Sequence, residues 1–170
     1  MNSEQLKAMQ APLKERYKSQ PDAALVTLRA EGTALEGVTC KVETGKGLVE
    51  AGLHPATGGD GALACSGDML LEALVACAGV TLRAVATALA IDLRDAHIVA
   101  EGDLDFRGTL GVSKEAPVGF RAIRVRFDLD TDATEEQRAT LLKLTERYCV
   151  VLQTLRHAPP IAVSMRAASA

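Results

Sequence analysis

The sequence predicts one α+β domain with antiparallel sheets, preceded by a short helical segment. Three observations support this fold class. Several short stretches alternate apolar and polar residues, one long apolar run has the length of a helix, and a capping signature marks a second helical region. The 170 residues contain no internal repeat, and a chain of this length can bury a substantial core. We therefore expect a helical extension over residues 1–23 and one folded domain over residues 24–170.

The first part of the chain predicts a helix and then a small antiparallel sheet. Leu6, Met9 and Leu13 lie at helical spacing and favour an amphipathic helix over Ser3–Ser19. Three β-rich stretches follow, separated by glycine-containing turns. The strands are expected at Ala24–Ala30, Val38–Glu43 and Gly47–Gly52, with turns at Glu31-Gly32, Glu36-Gly37 and Gly45-Lys46-Gly47. This pattern is typical of a three-stranded meander.

The long apolar run predicts a central helix. Ser66 is its expected N-cap, Asp68 lies in the first turn, and the helix is expected to extend to about Ala90. Its middle is apolar around nearly the whole circumference, so we expect burial on nearly all sides by a partner helix or a second subunit. Glu72 and Arg83 interrupt the run, which leaves too short an uncharged stretch to cross a membrane.

The second part of the chain predicts two strands and then two helices. The strands alternate apolar and polar residues, as half-buried strands do. Thr134 and Gln137 form a capping-box pattern that starts the first of these helices. The expected elements are strands at Arg94–Arg107 and Val118–Leu129, helices from Thr134 to about Arg147 and over Cys149–Arg156, and a final strand at Ile161–Met165 after Pro159-Pro160.

Composition excludes several classes of function. The formal net charge is −3 and aromatic residues make up 3 % of the chain, so neither a basic surface nor stacking residues favour nucleic-acid binding. The N-terminus lacks the basic start and apolar core of a signal peptide, and we expect a cytoplasmic protein without a membrane partner. The four cysteines form no C-x-x-C pair and the histidines lie far from them, so we expect neither a metal nor a cofactor.

Two cysteines are candidates for redox chemistry. Cys77 lies within the predicted central helix, where it could also be an inert core thiol; a reactive thiolate there needs a nearby cation or hydrogen-bond donor. Cys149 follows Arg147 near a predicted helix start, and both features would lower its pKa. A reactive cysteine with a resolving partner can reduce a peroxide without a metal. Cys40 and Cys65 are interpreted as structural, in a strand and a loop respectively.

The segments around these cysteines resemble the OsmC/Ohr family. Asp68–Gly79 is similar to the family's first-cysteine helix, Glu146–Leu155 to its second-cysteine segment, and Gly58–Gly61 to its glycine-rich approach to the helix. The resemblance implies an α+β fold in which antiparallel sheets wrap around two central helices of an intertwined homodimer. It also implies active sites at the subunit interface, with Cys77 as the peroxidatic and Cys149 as the resolving residue.

The activity implied by the resemblance is reduction of organic hydroperoxides or hydrogen peroxide in oxidative or osmotic stress defence, with a dithiol or a lipoylated protein as reductant. The sequence departs from the family pattern at two positions. Gly67 stands where peroxidase members carry a Glu, with Asp68 one place later, and no Arg occupies the matching early turn. Asp68, His54 and Arg29 are therefore candidate groups for activating the thiolate or orienting a substrate. Lys41 and Lys46 are further candidate cations.

Two alternatives follow from these departures. One is a protein that keeps the fold without catalysis and binds a small ligand in an apolar pocket. The other is a hydrolase that uses Cys77 with His54, which requires the two side chains to lie within hydrogen-bonding reach.

Overall fold

The computed structural model describes residues 2–5, 8, 11, 19, 31–35, 39–44, 47–111 and 113–166, with the backbone alone over 31–48. The expected strand Ala24–Ala30, with Arg29 in it, lies outside the described residues, as does most of the expected helix Ser3–Ser19. The expected boundary between an extension and a domain at residues 23 and 24 therefore stays a prediction.

Within the described part of the chain, the first sheet has four strands in the order β1-β2-β3-β4. They are β1 at Glu31–Leu35, β2 at Thr39–Thr44, β3 at Gly47–Gly52 and β4 at Ala64–Cys65. The bounds predicted for β3 are confirmed, but the turn predicted at Glu31-Gly32 is wrong, because these residues pair antiparallel with Glu43 and Val42 of β2. Cross-strand pairing thus overrides the weak strand preference of glycine. The short strand β4, which was not predicted, pairs parallel with β3.

The central helix α1 extends over Ser66–Ala88. Cys65, not Ser66, is its N-cap, and no side chain accepts a hydrogen bond from the first turn there. Cys65 also belongs to β4, so the expectation that it lies in a loop is wrong. The strand conformation needed to pair with β3 extends to Cys65 and sets the helix start one residue earlier in the chain. Asp68 lies in the first turn, as predicted.

The second sheet is a two-stranded antiparallel ribbon of β5 at Asp95–Asp103 and β6 at Ala122–Asp130. Side chains of β6 alternate strictly between half-buried and exposed, as the sequence predicts. Both strands are shorter than expected. β5 stops before Arg107 because the Asp105 carboxylate accepts a hydrogen bond from the Arg107 backbone N–H and caps a short helix, α2, at Phe106–Thr109.

Two helices follow, α3 at Glu135–Tyr148 and α4 at Val150–Arg156. The predicted capping box is confirmed: the Thr134 hydroxyl accepts from the Gln137 N–H at 3.2 Å, and the Gln137 side chain accepts from the Thr134 N–H at 2.8 Å. The final strand predicted at Ile161–Met165 is wrong for this chain. Residues 161–166 form no strand, and Ile161, Val163 and Met165 are 81 %, 92 % and 96 % exposed; none of the described strands pairs with them.

The core lies where one face of α1 meets the second sheet and α3. One cluster comprises Leu82, Val85, Ala86, Leu93 and Leu141, with apolar side chains of β5 and β6 packed against it. A second cluster comprises Leu74 and Ala78, which lie one to three turns earlier on α1, together with Cys149, which lies between α3 and α4. Both clusters pack the helices against the ribbon. The second cluster also holds Cys149, the residue that precedes α4, in the core.

In the single chain, α1 is not buried on nearly all sides as the sequence predicts. Its buried residues lie on one face, while Val80 on the other is 73 % exposed. By length and composition α1 is apolar enough to cross a membrane, so the interrupting charges do not exclude it as the sequence argument supposed. The Arg83 guanidinium donates to the Leu93 carbonyl, and the helix packs on β5, α3 and α4 as a core helix does. The predicted α+β class is confirmed.

Candidate functional site

Packing of α4 against α1 brings Cys77 and Cys149 together. Cys149 is the residue between α3 and α4 and is completely buried in the cluster with Leu74 and Ala78. Cys77 is half-buried and packs against the same cluster, beside Val151 of α4. Both cysteines are free thiols. Two residues that are 72 positions apart in the sequence thus form one pair of neighbouring sulfur atoms that could be oxidised to a disulfide.

The surroundings of Cys77 favour its thiolate. Burial raises the pKa of a thiol, but hydrogen bonds from the Val151 N–H, the Cys149 thiol, the Thr81 hydroxyl and the Val150 N–H outweigh burial and lower the pKa of Cys77. Val150 and Val151 are the first residues of α4, and the first N–H groups of a helix have no acceptor within it. These donors are therefore available to a negatively charged sulfur.

Cys149 has the opposite tendency. Its burial raises the pKa of its thiol, and the nearby Cys77 sulfur raises it further, which outweighs the backbone hydrogen bonds from Leu152 and Val151. The expectation that a helix start and basic neighbours lower this pKa is wrong. The physical reason is that Cys149 lies inside the core, while Arg147 and Tyr148 are exposed. The surroundings thus lower the pKa of Cys77 and raise that of Cys149, so that Cys77 is the more acidic thiol of the pair.

Sequence reasoning missed the three other donors at Cys77. Val150 and Val151 contribute through their backbones, so no side-chain pattern could have identified them. Thr81 carried a signal, because residues four positions apart lie on the same face of a helix, and Thr81 follows Cys77 at that spacing.

Neither Asp68 nor His54 contacts Cys77 within the described part of the chain. Asp68 is exposed in the first turn of α1, nine positions and about 13 Å along the helix axis from Cys77. The His54 ring stacks on Phe106 with 4.8 Å between centroids, and its Nδ1 accepts from the Ala56 N–H at 3.0 Å. Arg29 lies outside the described residues.

His54 instead borders a cavity at the start of α1. This cavity of about 400 Å³ has apolar walls that include Leu104, Phe106 and Phe120, together with Cys65. A side chain at Gly67 would point at Leu104 and Phe120, which its Cβ would meet at 3.5 Å, so the cavity exists partly because this residue is glycine. The Cys65 end of α1 is about 18 Å from Cys77 along the axis, too far for a Cys77–His54 pair in one chain. The hydrolase alternative therefore has no support.

Exposed ion pairs lie on and beside the ribbon, and a further pair joins Asp105 and Arg107 just beyond the end of β5. The Arg94 Nη2 lies 2.5 Å from the Asp130 Oδ1, and Arg124 pairs with Asp103. A hydrogen bond from Arg107 lowers the pKa of Asp105 to about 2. Within the described part of the chain, no group of three or more His, Cys, Asp or Glu side chains is placed to hold a metal ion.

Comparisons with known proteins agree on one family. A family model described as OsmC-like protein matches residues 59–164, and no curated protein matches the chain. An OsmC-like protein from Mycoplasma pneumoniae has a similar structure, with a TM-score of 0.66 at 14 % identity, covering 78 % of this chain and 89 % of that one.

Two proteins named as organic hydroperoxide resistance proteins are also similar in structure. The one from Legionella pneumophila, named OsmC, has a TM-score of 0.59 at 18 % identity and covers 79 % of this chain and 92 % of its own. The one from Elizabethkingia anophelis has a TM-score of 0.60 at 17 % identity, and the match covers 79 % of this chain and 91 % of that one. At these identities the likeness concerns the fold.

Proposed function

We propose that this chain, which belongs to the family of OsmC-like proteins, is a thiol-dependent peroxidase that reduces organic hydroperoxides or hydrogen peroxide in stress defence. The observation that carries the proposal is the contact between Cys77 and Cys149, with the pKa of Cys77 lowered and that of Cys149 raised. The hydroperoxide resistance named for two structural relatives is consistent with this activity.

The reaction begins with the Cys77 thiolate. It attacks one oxygen of the peroxide, an S–O bond forms as the O–O bond breaks, and the departing alkoxide takes a proton to become the alcohol. Cys77 is then a sulfenic acid. Cys149 loses its proton, attacks the Cys77 sulfur and displaces the oxygen as water, which leaves a Cys77–Cys149 disulfide. An external dithiol or a lipoylated protein supplies two electrons and two protons to restore both thiols.

Hydrogen bonds from α4 and Thr81 could replace the missing arginine. Peroxide attack needs a thiolate, and the donors at Cys77 lower its pKa without a cation in the described part of the chain. Cys149 keeps its proton because its pKa is raised, so it donates a hydrogen bond to Cys77 in the reduced state. This division assigns Cys77 as the attacking residue and Cys149 as the resolving one.

We further propose that the active form is an intertwined homodimer with its sites at the subunit interface. Support comes from α1, whose uncovered face presents Leu70 and Val80 at 38 % and 73 % exposure. Large apolar side chains that remain exposed on a helix are a feature of interaction sites when a partner covers them. A second copy packed on α1 would cover it and would enclose the half-buried Cys77.

One observation favours a second candidate function, a non-catalytic protein that binds a small ligand. It is the apolar cavity beside Gly67, which lies away from the cysteine pair. A protein of this kind would have thiols that do not react with peroxide. It would gain thermal stability on binding an apolar molecule, since a ligand that binds only the folded state raises the melting temperature.

Peroxide consumption by purified variants tests the proposed activity. The wild type should consume cumene hydroperoxide or hydrogen peroxide with dithiothreitol or dihydrolipoamide as donor, and peroxide alone should form the Cys77–Cys149 disulfide. Cys77→Ser should lose all turnover, and Cys149→Ser should form a sulfenic acid without the disulfide. Cys65→Ser is the matched control, because Cys65 lies at the far end of α1, and it should keep full turnover. Absence of consumption by the wild type with every dithiol donor would falsify the proposal.

A further inference from the structure

The cavity at the start of α1 contains a large share of the chain's few aromatic side chains. Aromatic residues make up 3 % of the sequence and include three phenylalanines, of which Phe106 and Phe120 line this cavity. Three large apolar side chains on its walls stay exposed in the single chain, namely Leu53, Leu70 and Val118. A bound molecule would cover them and would replace their contacts with water by apolar contacts.

One histidine on the wall of this cavity has an unused hydrogen-bond donor. The His54 Nδ1 accepts from the Ala56 N–H at 3.0 Å, so that nitrogen carries no proton and the proton of the ring is on Nε2. In the described part of the chain, no group accepts a hydrogen bond from the Nε2–H. The ring stacks on Phe106 with 16° between the two planes, which limits its rotation. His54 therefore presents one N–H donor beside the apolar walls.

Gly67 keeps the volume of the cavity open. Its φ does not lie in the left-handed region, so the backbone does not require glycine there, and glycine is a weak helix former. A Cβ at this position would meet side-chain atoms of Leu104 and Phe120 at 3.5 Å, so a longer side chain would enter the cavity or displace these walls. The open volume is about 400 Å³. An apolar cavity of roughly 150 Å³ already holds benzene, so this one has room for a substituted aromatic ring.

The walls of the cavity carry no full charge. Among the described residues that line it there is no Lys, Arg, Asp or Glu, and the polar side chains besides His54 are those of Thr57, Cys65, Ser66 and Thr109. An ionised ligand would lose its hydration there without a charged partner, which disfavours its binding. A neutral molecule with one acceptor for the His54 Nε2–H meets no such cost.

We propose that this cavity is a binding site for a small uncharged aromatic molecule with one hydrogen-bond acceptor, such as an aryl ketone. The ring of the ligand packs against Phe106 and Phe120, and its acceptor oxygen takes a hydrogen bond from the His54 Nε2–H. The site does not involve Cys77 or Cys149, so the inference goes beyond the proposed peroxidase function. It also assigns a ligand class to the cavity that favours the non-catalytic alternative.

Binding of acetophenone and α-methylstyrene to the full chain tests the proposal. The two molecules have nearly the same shape, but a methylene group replaces the carbonyl oxygen in α-methylstyrene. Dissociation constants follow from the rise in melting temperature with ligand concentration. His54→Phe keeps a ring on Phe106 and removes the N–H donor. It should weaken acetophenone binding about fivefold more than α-methylstyrene binding, because only the ketone loses a hydrogen bond. Saturating acetophenone should also slow the alkylation of Cys65, which lies on the cavity wall, by iodoacetamide.

Gly67→Leu fills the cavity and should abolish the binding of both molecules. Ala88→Leu is the matched control, because it adds the same side chain at the far, exposed end of α1 and should leave both dissociation constants unchanged. If Gly67→Leu does not fold by circular dichroism, Gly67→Val takes its place with the same expectation. Absence of binding to the wild type, unchanged binding in the Gly67 variant, or an equal loss for both molecules in His54→Phe overturns the proposal. A wild type that binds acetophenone but consumes no peroxide would reject the peroxidase function and keep this site.

Discussion

Replacing Leu141 by alanine tests whether α3 is anchored to α1 as the structure shows. The Leu141 side chain is completely buried in the cluster that joins α1, the β5–β6 ribbon and α3. The substitution removes three apolar carbon groups, which corresponds to about 2.4 kcal/mol at roughly 0.8 kcal/mol per group. A residual cavity of about 50 Å³ adds about 1.2 kcal/mol at roughly 24 cal/mol per Å³. We expect the free energy of unfolding to fall by about 3.5 kcal/mol.

Urea unfolding followed by circular dichroism at fixed protein concentration measures this loss. With a denaturant slope of roughly 2 kcal/mol per molar, the midpoint should fall by nearly 2 M without a change in slope. Leu142→Ala is the control on the same helix, because Leu142 is 41 % exposed and should cost under about 1.5 kcal/mol. A loss below about 1 kcal/mol for Leu141→Ala, or equal losses for both variants, would refute the assigned packing.

Two further predictions concern stability measured in the same way. Thr134→Ala removes the hydroxyl that caps α3 and should lower the free energy of unfolding by about 1 kcal/mol. Thr134→Ser keeps a hydroxyl and should retain most of the wild-type stability. Equal stability of the two variants would contradict the capping box. Gly102→Ala places a Cβ in steric overlap with the Phe120 ring, which must then move, and should lower the free energy of unfolding by roughly 1–3 kcal/mol. Gly119→Ala, whose Cβ would have no atom within 4 Å, should be close to neutral, and an equal loss there would argue against a close contact at Gly102.

Much of the fold could be predicted because it depends on local patterns. The capping box at Thr134, the alternation in β6 and the bounds of β3 follow from residues that are neighbours in the chain. The errors occur where a distant partner decides the outcome. Glu31 joins a strand because β2 lies beside it, whereas no strand among the described residues pairs with Ile161–Met165.

The candidate site was also only partly predictable from local sequence. The amino-acid sequence alone indicates two cysteines in helical contexts that resemble those of the OsmC/Ohr family, with Gly67 at the family's glutamate position. It could not determine the protonation of those cysteines. A pKa depends on burial and on donors brought from other elements, and here the core buries Cys149 while backbone N–H groups of α4 reach Cys77.

What packing adds is the direction of the two pKa shifts, which is downward at Cys77 and upward at Cys149. The neighbouring residues suggested that Arg147 and a helix start would lower the pKa of Cys149, but its pKa is raised because Cys149 is buried in the core while Arg147 is exposed. Local sequence determines where helices begin and which face is apolar. The dielectric surroundings and hydrogen-bond donors of one sulfur atom depend on how those helices pack.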